Sequence, residues 1–284
     1  MAVIATGFFD GVHMGHRKVI DTLLRLSRER SEQSVILTFW PHPRMVLQDD
    51  ARSLRLLNSL EEKKSILQGL GVDRVEVLPF DLDFSAMSAR DYLEKIVRDR
   101  FGASCVVFGY DNRLGCDGVM AQNAVVLARE LGMEAVCCAS LGDISSTKIR
   151  NCIATGRIEA ASQMLGMNYR LKGAVIGGNR IGRTLGYPTA NTSLYEPLKA
   201  LPLPGAYLTR VNVGGGEYYG MTNVGDDGKV ETHIFDFSKD IYGLDIDLEF
   251  LRYLRAEMKF GSLEDLKTQL GIDEMSCRNI IFGL

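Results

Sequence analysis

The sequence predicts an α/β half with a parallel sheet, followed by a smaller half of antiparallel strands. Up to about residue 150, short apolar runs alternate with amphipathic helical segments, a pattern typical of parallel strands covered by helices on both faces. After about residue 170 the strand-like runs are separated by turns, and residues 171–284 hold 16 of the 29 glycines. This pattern favours an antiparallel barrel or sandwich. We expect domains of residues 1–168 and 169–284.

In the first half, strands and helices alternate in chain order. The apolar runs predict strands at 3–6, 35–39, 75–78, 105–108 and 135–139. Helical spacing predicts helices at 16–30 and 119–131 and after two start signals, the capping box Ser59–Glu62 and Ser88. The charge run at 61–64, Glu-Glu-Lys-Lys, is typical of a solvated helix face.

In the second half, four segments have the alternation of strands, at 206–213, 217–224, 230–237 and 244–251. Asp227-Gly228 lies between the second and third of these, and this dipeptide favours a tight hairpin turn. Two helices are predicted at the end of the chain, at 262–270 and 273–281.

Composition and charge exclude several classes of protein. With 46% hydrophobic and 24% charged residues, the chain is typical of soluble globular proteins. Lys and Arg number 33 against 36 Asp and Glu, so no basic surface for nucleic acid is expected. No apolar run approaches 18 residues, so no membrane partner is expected. Six cysteines without a C-x-x-C pair, together with an N-terminus lacking a signal sequence, predict a cytoplasmic protein.

Residues 7–16, GFFDGVHMGH, follow the first strand and begin the first helix. A helix N-terminus offers free N–H groups to an anion, and Gly11 and Gly15 let a phosphate approach the backbone. His13 and His16 lie on one helical turn and can donate hydrogen bonds to a transferring phosphate. A Gly-rich turn with two helix-capping histidines, or a pair of metal ligands, fits the same spacing.

A second cluster follows the last strand of this half. Residues 144–150, ISSTKIR, place three hydroxyls, a lysine and an arginine at a helix start. Such a cluster can hold an anion, although Ser-Ser-Thr is also ordinary capping sequence. Two such helix starts on one parallel sheet predict phosphate chemistry better than either alone.

These motifs carry a family resemblance. FDGVHMGH at 9–16 and SSTKIR at 145–150 resemble the H-x-G-H and S-S-T-x-I-R motifs of nucleotidylyltransferases, and TFWPHP at 38–43 resembles the FAD synthetase branch. GRTLGYPTAN at 182–191 and ETHIFDF at 231–237 resemble the riboflavin kinase domain. In order and over nearly the whole chain, the sequence is similar to bacterial bifunctional riboflavin kinase/FMN adenylyltransferases. The resemblance implies a Rossmann-like nucleotidylyltransferase domain followed by a β-barrel domain with C-terminal helices.

The resemblance implies two ATP-dependent reactions: phosphorylation of riboflavin to FMN, and adenylylation of FMN to FAD with release of pyrophosphate. In the first domain it implies catalytic roles for His13, His16 and Arg150 and flavin contacts by His42, Asp111 and Arg113. The nucleotide would be bound there by residues of the two motifs: Gly7, Phe9, Asp10, Gly11, Gly15, Ser145, Ser146 and Thr147.

For the barrel, the resemblance implies that Thr189 and Asn191 hold Mg²⁺ and phosphate oxygens and that Glu231 is the general base. From the residues alone, a hydroxyl and an amide two positions apart on an extended segment point to one side. A strand carboxylate such as Glu231 can accept the proton of an attacking alcohol. The loop beginning at Gly177 is expected to contact nucleotide through Gly177, Arg180, Gly182 and Arg183.

Two departures from the family pattern leave alternatives open. Residues 226–229 replace a longer loop, and Asn112 and Leu114 stand where aromatic residues are usual. One alternative is therefore a chain that retains a single activity, the adenylyltransferase. The other is a non-catalytic flavin-binding regulator. Nothing in the sequence indicates which oligomeric state the protein adopts.

Overall fold

The computed structural model describes residues 1–48, 54–178 and 181–283. The chain divides into two compact units, Met1–Ser146 and Thr147–Leu284. The domain boundary at 168/169 stays a prediction.

The first unit is built on a parallel sheet of five strands in the order β3-β2-β1-β4-β7. These strands are β1 Ala2–Thr6, β2 Gln33–Trp40, β3 Arg74–Pro79, β4 Ala103–Phe108 and β7 Glu134–Cys137. The strand order reverses direction between β1 and β4. In open parallel sheets, the crevice at such a point, beyond the carboxyl ends of the strands, is where ligands bind.

Helices cover both faces of this sheet, as predicted. The helices that begin the α/β alternation are α1 Met14–Arg30, α2 Pro43–Leu47, α3 Leu60–Gly69 and α4 Leu82–Ser85. They are followed by α5 Ala89–Asp91, which continues as a π-helix over Tyr92–Arg100, and by α6 Ala121–Glu130. Alternate residues of β1 divide the core: Ala2 and Ile4 pack on one face, and Val3 and Ala5 on the other.

The local start signals are confirmed. The Ser59 hydroxyl accepts the Glu62 N–H at 3.1 Å, and the Glu62 carboxylate accepts the Ser59 N–H at 2.7 Å, which completes the capping box of α3. The predicted helix at 119–131 begins later, at Ala121. Val119 and Met120 instead form strand β6, which pairs with β5, Arg113–Leu114.

The second unit contains a closed antiparallel barrel of six strands in the order β10-β11-β12-β9-β8-β13. They are β8 Tyr169–Ile176, β9 Ala190–Leu194, β10 Gly205–Val213, β11 Gly216–Val224, β12 Val230–Ile234 and β13 Asp245–Ala256. Sequence analysis predicted four of these and missed β8 and β9. β9 is mostly polar, and its hydrogen bonds to strands on both sides, rather than an apolar pattern, hold it.

Two helices, α7 Ser146–Ala154 and α8 Ile158–Leu165, precede the barrel. α8 packs against β8 and β13, and the Ile153 carbonyl accepts the Leu203 N–H at 3.0 Å. A short helix, α9 Ile181–Thr184, lies between β8 and β9. Among the helices of the described ranges, none is long and apolar enough to cross a membrane.

The expectation of two C-terminal helices is wrong: one continuous helix, α10, runs over Leu263–Ile281. Gly271 and Asp273 resemble a stop and a new cap, but the Asp273 side chain is buried and makes other bonds. Its carboxylate accepts hydrogen bonds from Arg255 of β13, the shortest at 2.7 Å, and one from Gln269 at 2.9 Å. This ion pair fastens the middle of α10 to the barrel.

Asp273→Asn should destabilise the barrel unit by about 2 kcal/mol, because Arg255 then lies partly buried without a counter-charge. Calorimetric unfolding measures the loss. The matched control is Glu264→Gln, which changes an exposed acid in the first turn of the same helix. Equal melting temperatures for the two variants would contradict the anchoring role.

Candidate active sites

The turn after β1 has an unusual backbone. Phe9, Gly11 and Val12 have φ values of 57°, 82° and 42°, in the left-handed region that costs energy for Phe and more for β-branched Val. The buried Asp10 carboxylate accepts the Leu57 N–H at 2.9 Å, and the Asp10 carbonyl accepts the Ser146 hydroxyl at 2.9 Å. These bonds hold the turn in its strained form at the carboxyl edge of the sheet.

His13 and His16 form a stacked pair at the start of α1. Their ring centroids lie 3.6 Å apart at an interplanar angle of 12°, and the edge of Phe9 meets His16 at 5.3 Å. His13 caps the helix, because its Nδ1 accepts the His16 N–H at 3.3 Å. A neutral His13 therefore carries its proton on Nε2. At Gly15 a Cβ atom would come within 3.2 Å of the His13 ring, so glycine leaves room for the stack.

Burial keeps both imidazoles neutral near pH 7. It lowers the pKa of His13 to about 4, against a smaller opposing effect of the Asp111 charge. The pKa of His16 is also lowered, first by burial and then by the nearby charges of His13 and Lys63. The pair can donate hydrogen bonds to an anion without carrying a charge itself. The expected juxtaposition of the two rings is confirmed, and so is helix capping by His13.

Lys63 corrects the sequence analysis, which assigned residues 61–64 to a solvated helix face. Its side chain is only 2% exposed. The ammonium donates to the Phe8 carbonyl at 2.8 Å and to Thr38 Oγ1 at 3.0 Å. Burial lowers its pKa to about 8, opposed by the nearby Asp10 charge. Only the helical spacing indicates that Lys63 is buried: position 63 lies four residues before the core residue Leu67, on the same face of α3.

The loop after β4 borders the same edge of the sheet. The Asn112 amide joins two strand ends: its oxygen accepts the Gly109 N–H at 2.6 Å, and its nitrogen donates to the Thr6 carbonyl at 3.1 Å. Leu114 is a buried core residue. Asn112 and Leu114, which stand where aromatic residues are usual, therefore stabilise the fold. Asp111 and Arg113 of the same loop are exposed.

His42 and the residues of the second motif lie at or near helix starts. His42 caps α2 by accepting the Arg44 N–H at 3.0 Å, and its ring meets the Phe8 ring at 4.1 Å. Ser146 begins α7, and Thr147 and Arg150 follow on that helix, with Arg150 partly buried.

In the barrel, strand register brings two of the predicted residues together. Glu231 of β12 stands directly opposite Asn191 of β9, and both are partly exposed. Directly opposed residues have Cβ atoms about 5 Å apart. Thr189 lies just before β9, and the preceding Pro188 carbonyl is bonded to His233 Nδ1 at 2.9 Å.

The glycines of the 177–186 region show where backbone comes close to its neighbours. A Cβ at Gly178 would lie 2.1 Å from the Asn191 amide nitrogen, and one at Gly182 would lie 2.2 Å from the Tyr187 carbonyl. Gly177 has open space around it. Arg180 lies outside the described residues.

A cavity of about 400 Å³ opens beside these residues. Arg183, Pro188 and Thr189 line one part of it, and residues 237–242 line another. Sequence analysis gave residues 237–242 no role, and it predicted a strand through 237. The strand instead ends at Ile234, after which Asp236 takes a φ of 54°.

The short connection at 226–229 makes a well-bonded turn. The Gly225 N–H donates to the Lys229 carbonyl at 2.9 Å, and Gly228 has the positive φ, 79°, that a tight turn requires. The Asp226 N–H donates to Glu257 at 2.9 Å. β11 and β12 pair without a register shift up to this turn, so the predicted hairpin is confirmed. Within it, Glu231 pairs with Asn223 of β11.

Comparison with known proteins identifies a family for each half of the chain. The model of the FAD synthetase family matches residues 1–150, and that of the riboflavin kinase family matches residues 165–281. The bifunctional riboflavin kinase/FMN adenylyltransferase of Listeria monocytogenes is 34% identical, with 97% of this chain and 91% of that protein covered. The enzyme of the same name from Escherichia coli K12 is 31% identical, over 99% and 93% of the two chains.

A solved structure covers nearly the whole chain. A crystal structure from Streptococcus pneumoniae, described as a macrolide-efflux protein, aligns with a TM-score of 0.91 and 30% identity over 98% of this chain and 94% of that one. The two folds are the same.

The chain is thus a transferase with a nucleotidylyltransferase unit and a kinase barrel. It belongs to the bifunctional riboflavin kinase/FMN adenylyltransferase family. It phosphorylates riboflavin to FMN and adenylylates FMN to FAD.

Acid should destabilise the first unit through His13. Its pKa is about 4 when folded and about 6.5 when unfolded, so this contribution is complete above pH 6.5 and is lost as pH falls toward 4, at up to about 1.4 kcal/mol per pH unit. Urea unfolding at several pH values, followed by the fluorescence of Trp40, the single tryptophan, measures the slope. His13→Gln should make the slope shallower, with the part due to the buried His16 remaining, and the exposed-site control Val126→Ala should leave it unchanged. An unchanged slope in His13→Gln would contradict the assignment.

Proposed function

We propose that the chemistry of the two units is carried by the residues described above. For the kinase, the carrying observation is the register that sets Glu231 opposite Asn191. For the adenylyltransferase it is the stacked, neutral pair His13 and His16 on a strained turn. The short 226–229 turn leaves the β11–β12 pairing intact, and this favours retention of both activities over the single-activity alternative.

In the first unit, the turn would bind the phosphates of ATP. The N–H of Gly15 would donate to phosphate oxygens, because this residue has no side chain, is partly exposed and lies at a helix start with positive potential, whereas Gly11 is buried and lets the chain turn tightly beside it. Imidazole N–H donors then stabilise charge that develops on the transferring phosphate, at little reorganisation cost since the stack is already in place. Gly7, Phe9 and Asp10 shape the turn.

The remaining predicted residues would bind the rest of the substrates. Ser145, Ser146, Thr147 and Arg150 supply hydroxyls and a cation for phosphate oxygens. His42, Asp111 and Arg113 are proposed to contact the flavin. The arrangement is supported by the Phe8–His42 ring contact and by the exposure of the Asp111 and Arg113 side chains.

In the barrel, Glu231 would act as general base toward the ribityl hydroxyl of riboflavin. It is a partly exposed carboxylate that can accept a proton from an alcohol within hydrogen-bond reach. Gly177, Gly182 and Arg183 would bind nucleotide, supported by the cavity that Arg183 and Thr189 line. The same role is proposed for Arg180.

The donor set of the barrel fits Mg²⁺. The Thr189 hydroxyl and the Asn191 amide provide oxygen ligands of the kind Mg²⁺ prefers, and the ion usually takes few protein ligands besides substrate phosphates. Among the residues the structure describes, no cluster of three or more His, Cys, Asp or Glu side chains offers another metal site. Bound there, Mg²⁺ would neutralise phosphate charge. A side chain at position 178 would collide with the Asn191 amide, so glycine there leaves the amide its space.

The wider assignments remain proposals. We place the domain boundary at 168/169 and the protein in the cytoplasm, with flavins and ATP as partners and no nucleic acid or membrane. The balanced charge of 33 basic and 36 acidic residues supports the absence of a nucleic-acid surface.

Two variants should separate the activities. Glu231→Gln should slow formation of FMN from riboflavin at least about 100-fold and leave formation of FAD from FMN unchanged, because it removes a base from the barrel alone. His16→Asn should do the reverse, since it removes a donor from the turn. Chromatography of parallel reactions of the purified protein with ATP and Mg²⁺, one given riboflavin and one given FMN, measures both.

Glu217→Gln is the control for the barrel, because it alters an exposed glutamate on neighbouring β11. A Glu231→Gln variant that phosphorylates riboflavin at the normal rate would refute the base assignment. If the unaltered protein yields FAD only from FMN, the kinase proposal fails and the 226–229 turn is implicated.

Gly178→Ala should weaken the kinase selectively. The added methyl group would displace the Asn191 amide, so we expect a higher Mg²⁺ requirement and at least a tenfold lower rate of FMN formation. Titration of the kinase rate with Mg²⁺ tests this, and FAD formation from FMN in the same sample is the internal control. A normal Mg²⁺ titration would show that the Asn191 amide does not depend on this contact.

A further inference from the structure

A buried cation lies beneath the turn that follows β1. Lys63 projects from α3, and its ammonium donates to the Phe8 carbonyl and the Thr38 hydroxyl and lies 3.8 Å from the centroid of the Phe8 ring. Thr38 Oγ1 also donates to the Phe8 carbonyl, at 3.1 Å. One carbonyl thus accepts two hydrogen bonds, one of them charged, which is a strong restraint on a turn residue.

The restraint acts on Phe8, one residue before the backbone becomes left-handed. Phe9, next to Phe8, has a φ of 57° and presents its ring to His16. The Phe8 ring lies against His42 as well as over the ammonium. Fixing Phe8 therefore fixes neighbours on two sides: the histidine pair through Phe9, and His42 directly.

We propose that Lys63 is a positioning residue for adenylyl transfer: it holds the Phe8–Val12 turn from beneath and places a buried positive charge under the binding turn for an anionic nucleotide. This rests on the proposed function of that turn. Its neighbour Lys64 differs, since its ammonium is paired with Glu61 at 3.2 Å near the surface.

The charge of Lys63 depends on pH in a range that an assay can reach. The nearby charged or titratable groups are Asp10 on the turn and His16 on α1, with His42 beyond the Phe8 ring. Thr38 is the contact from β2, and Glu62 and Lys64 flank Lys63 on α3. With a pKa of about 8, the ammonium is charged below pH 8 and loses its proton above it. Adenylyltransferase activity should therefore decline above pH 8.

The test compares Lys63→Met with Lys64→Met in the full chain. Lys63→Met should lower kcat for FAD formation from FMN at least tenfold, raise KM for ATP, and abolish the decline above pH 8. Lys64→Met should retain the unaltered rate and pH profile. Riboflavin phosphorylation, measured in each sample, should stay within twofold of the unaltered protein.

Thr38→Val separates charge from structure. It removes an acceptor that favours the charged amine, so the decline should move to lower pH while the charge remains available at pH 6.5. A Lys63→Met variant that keeps the decline or a normal kcat/KM overturns the proposal, as does a parallel loss of both activities with a lowered melting temperature. Normal FAD formation by His16→Asn would instead overturn the function proposed for the turn.

Discussion

Both sites depend on hydrogen-bonded pairing between strands: β1 lies between β2 and β4, and β12 lies between β11 and β9. Parallel pairing in the first unit brings the Gly7 turn and the Gly109 loop to the same edge of the sheet. Antiparallel pairing in the barrel sets Glu231 opposite Asn191. A slip of one residue would turn every side chain of a strand to the other face. Register therefore fixes where the proposed site residues stand relative to one another in each unit.

The two units handle charge differently. In the first, burial keeps the histidine pair neutral, and the positive charge comes from a lysine below the turn. Two stacked imidazolium ions 3.6 Å apart would repel strongly, so neutrality is a condition of the stack itself. In the barrel, the carboxylate of Glu231 is partly exposed to solvent.

The features that the sequence predicts correctly are those encoded by residues close together in the chain. The Ser59 capping box, the alternating apolar runs and the spacing of His13 and His16 all act within a few residues, and each has the expected structure. What it missed depends on distant contacts. β9 is held by its neighbours and not by its own pattern, and Asp273 looks like a helix cap until Arg255 of β13 is placed beside it.

The roles of Lys63 and Asn112 also depend on contacts between residues far apart in the sequence. A lysine within a charged run gives no sign that Phe8, 55 positions earlier, will lie above it. An asparagine in a loop gives no sign that it will join the ends of β1 and β4.

Closure of the barrel has a consequence for association between copies of the chain. A closed barrel leaves no strand with a free row of N–H and C=O groups, so β8–β13 offer nothing to an incoming strand. The open sheet ends at β3 and β7. Both edges are short, and charged residues line them: Arg74 and Glu76 form an ion pair on β3, and Glu134 of β7 bonds to Arg30. Strand-by-strand aggregation is thus opposed by geometry in one unit and by charge in the other.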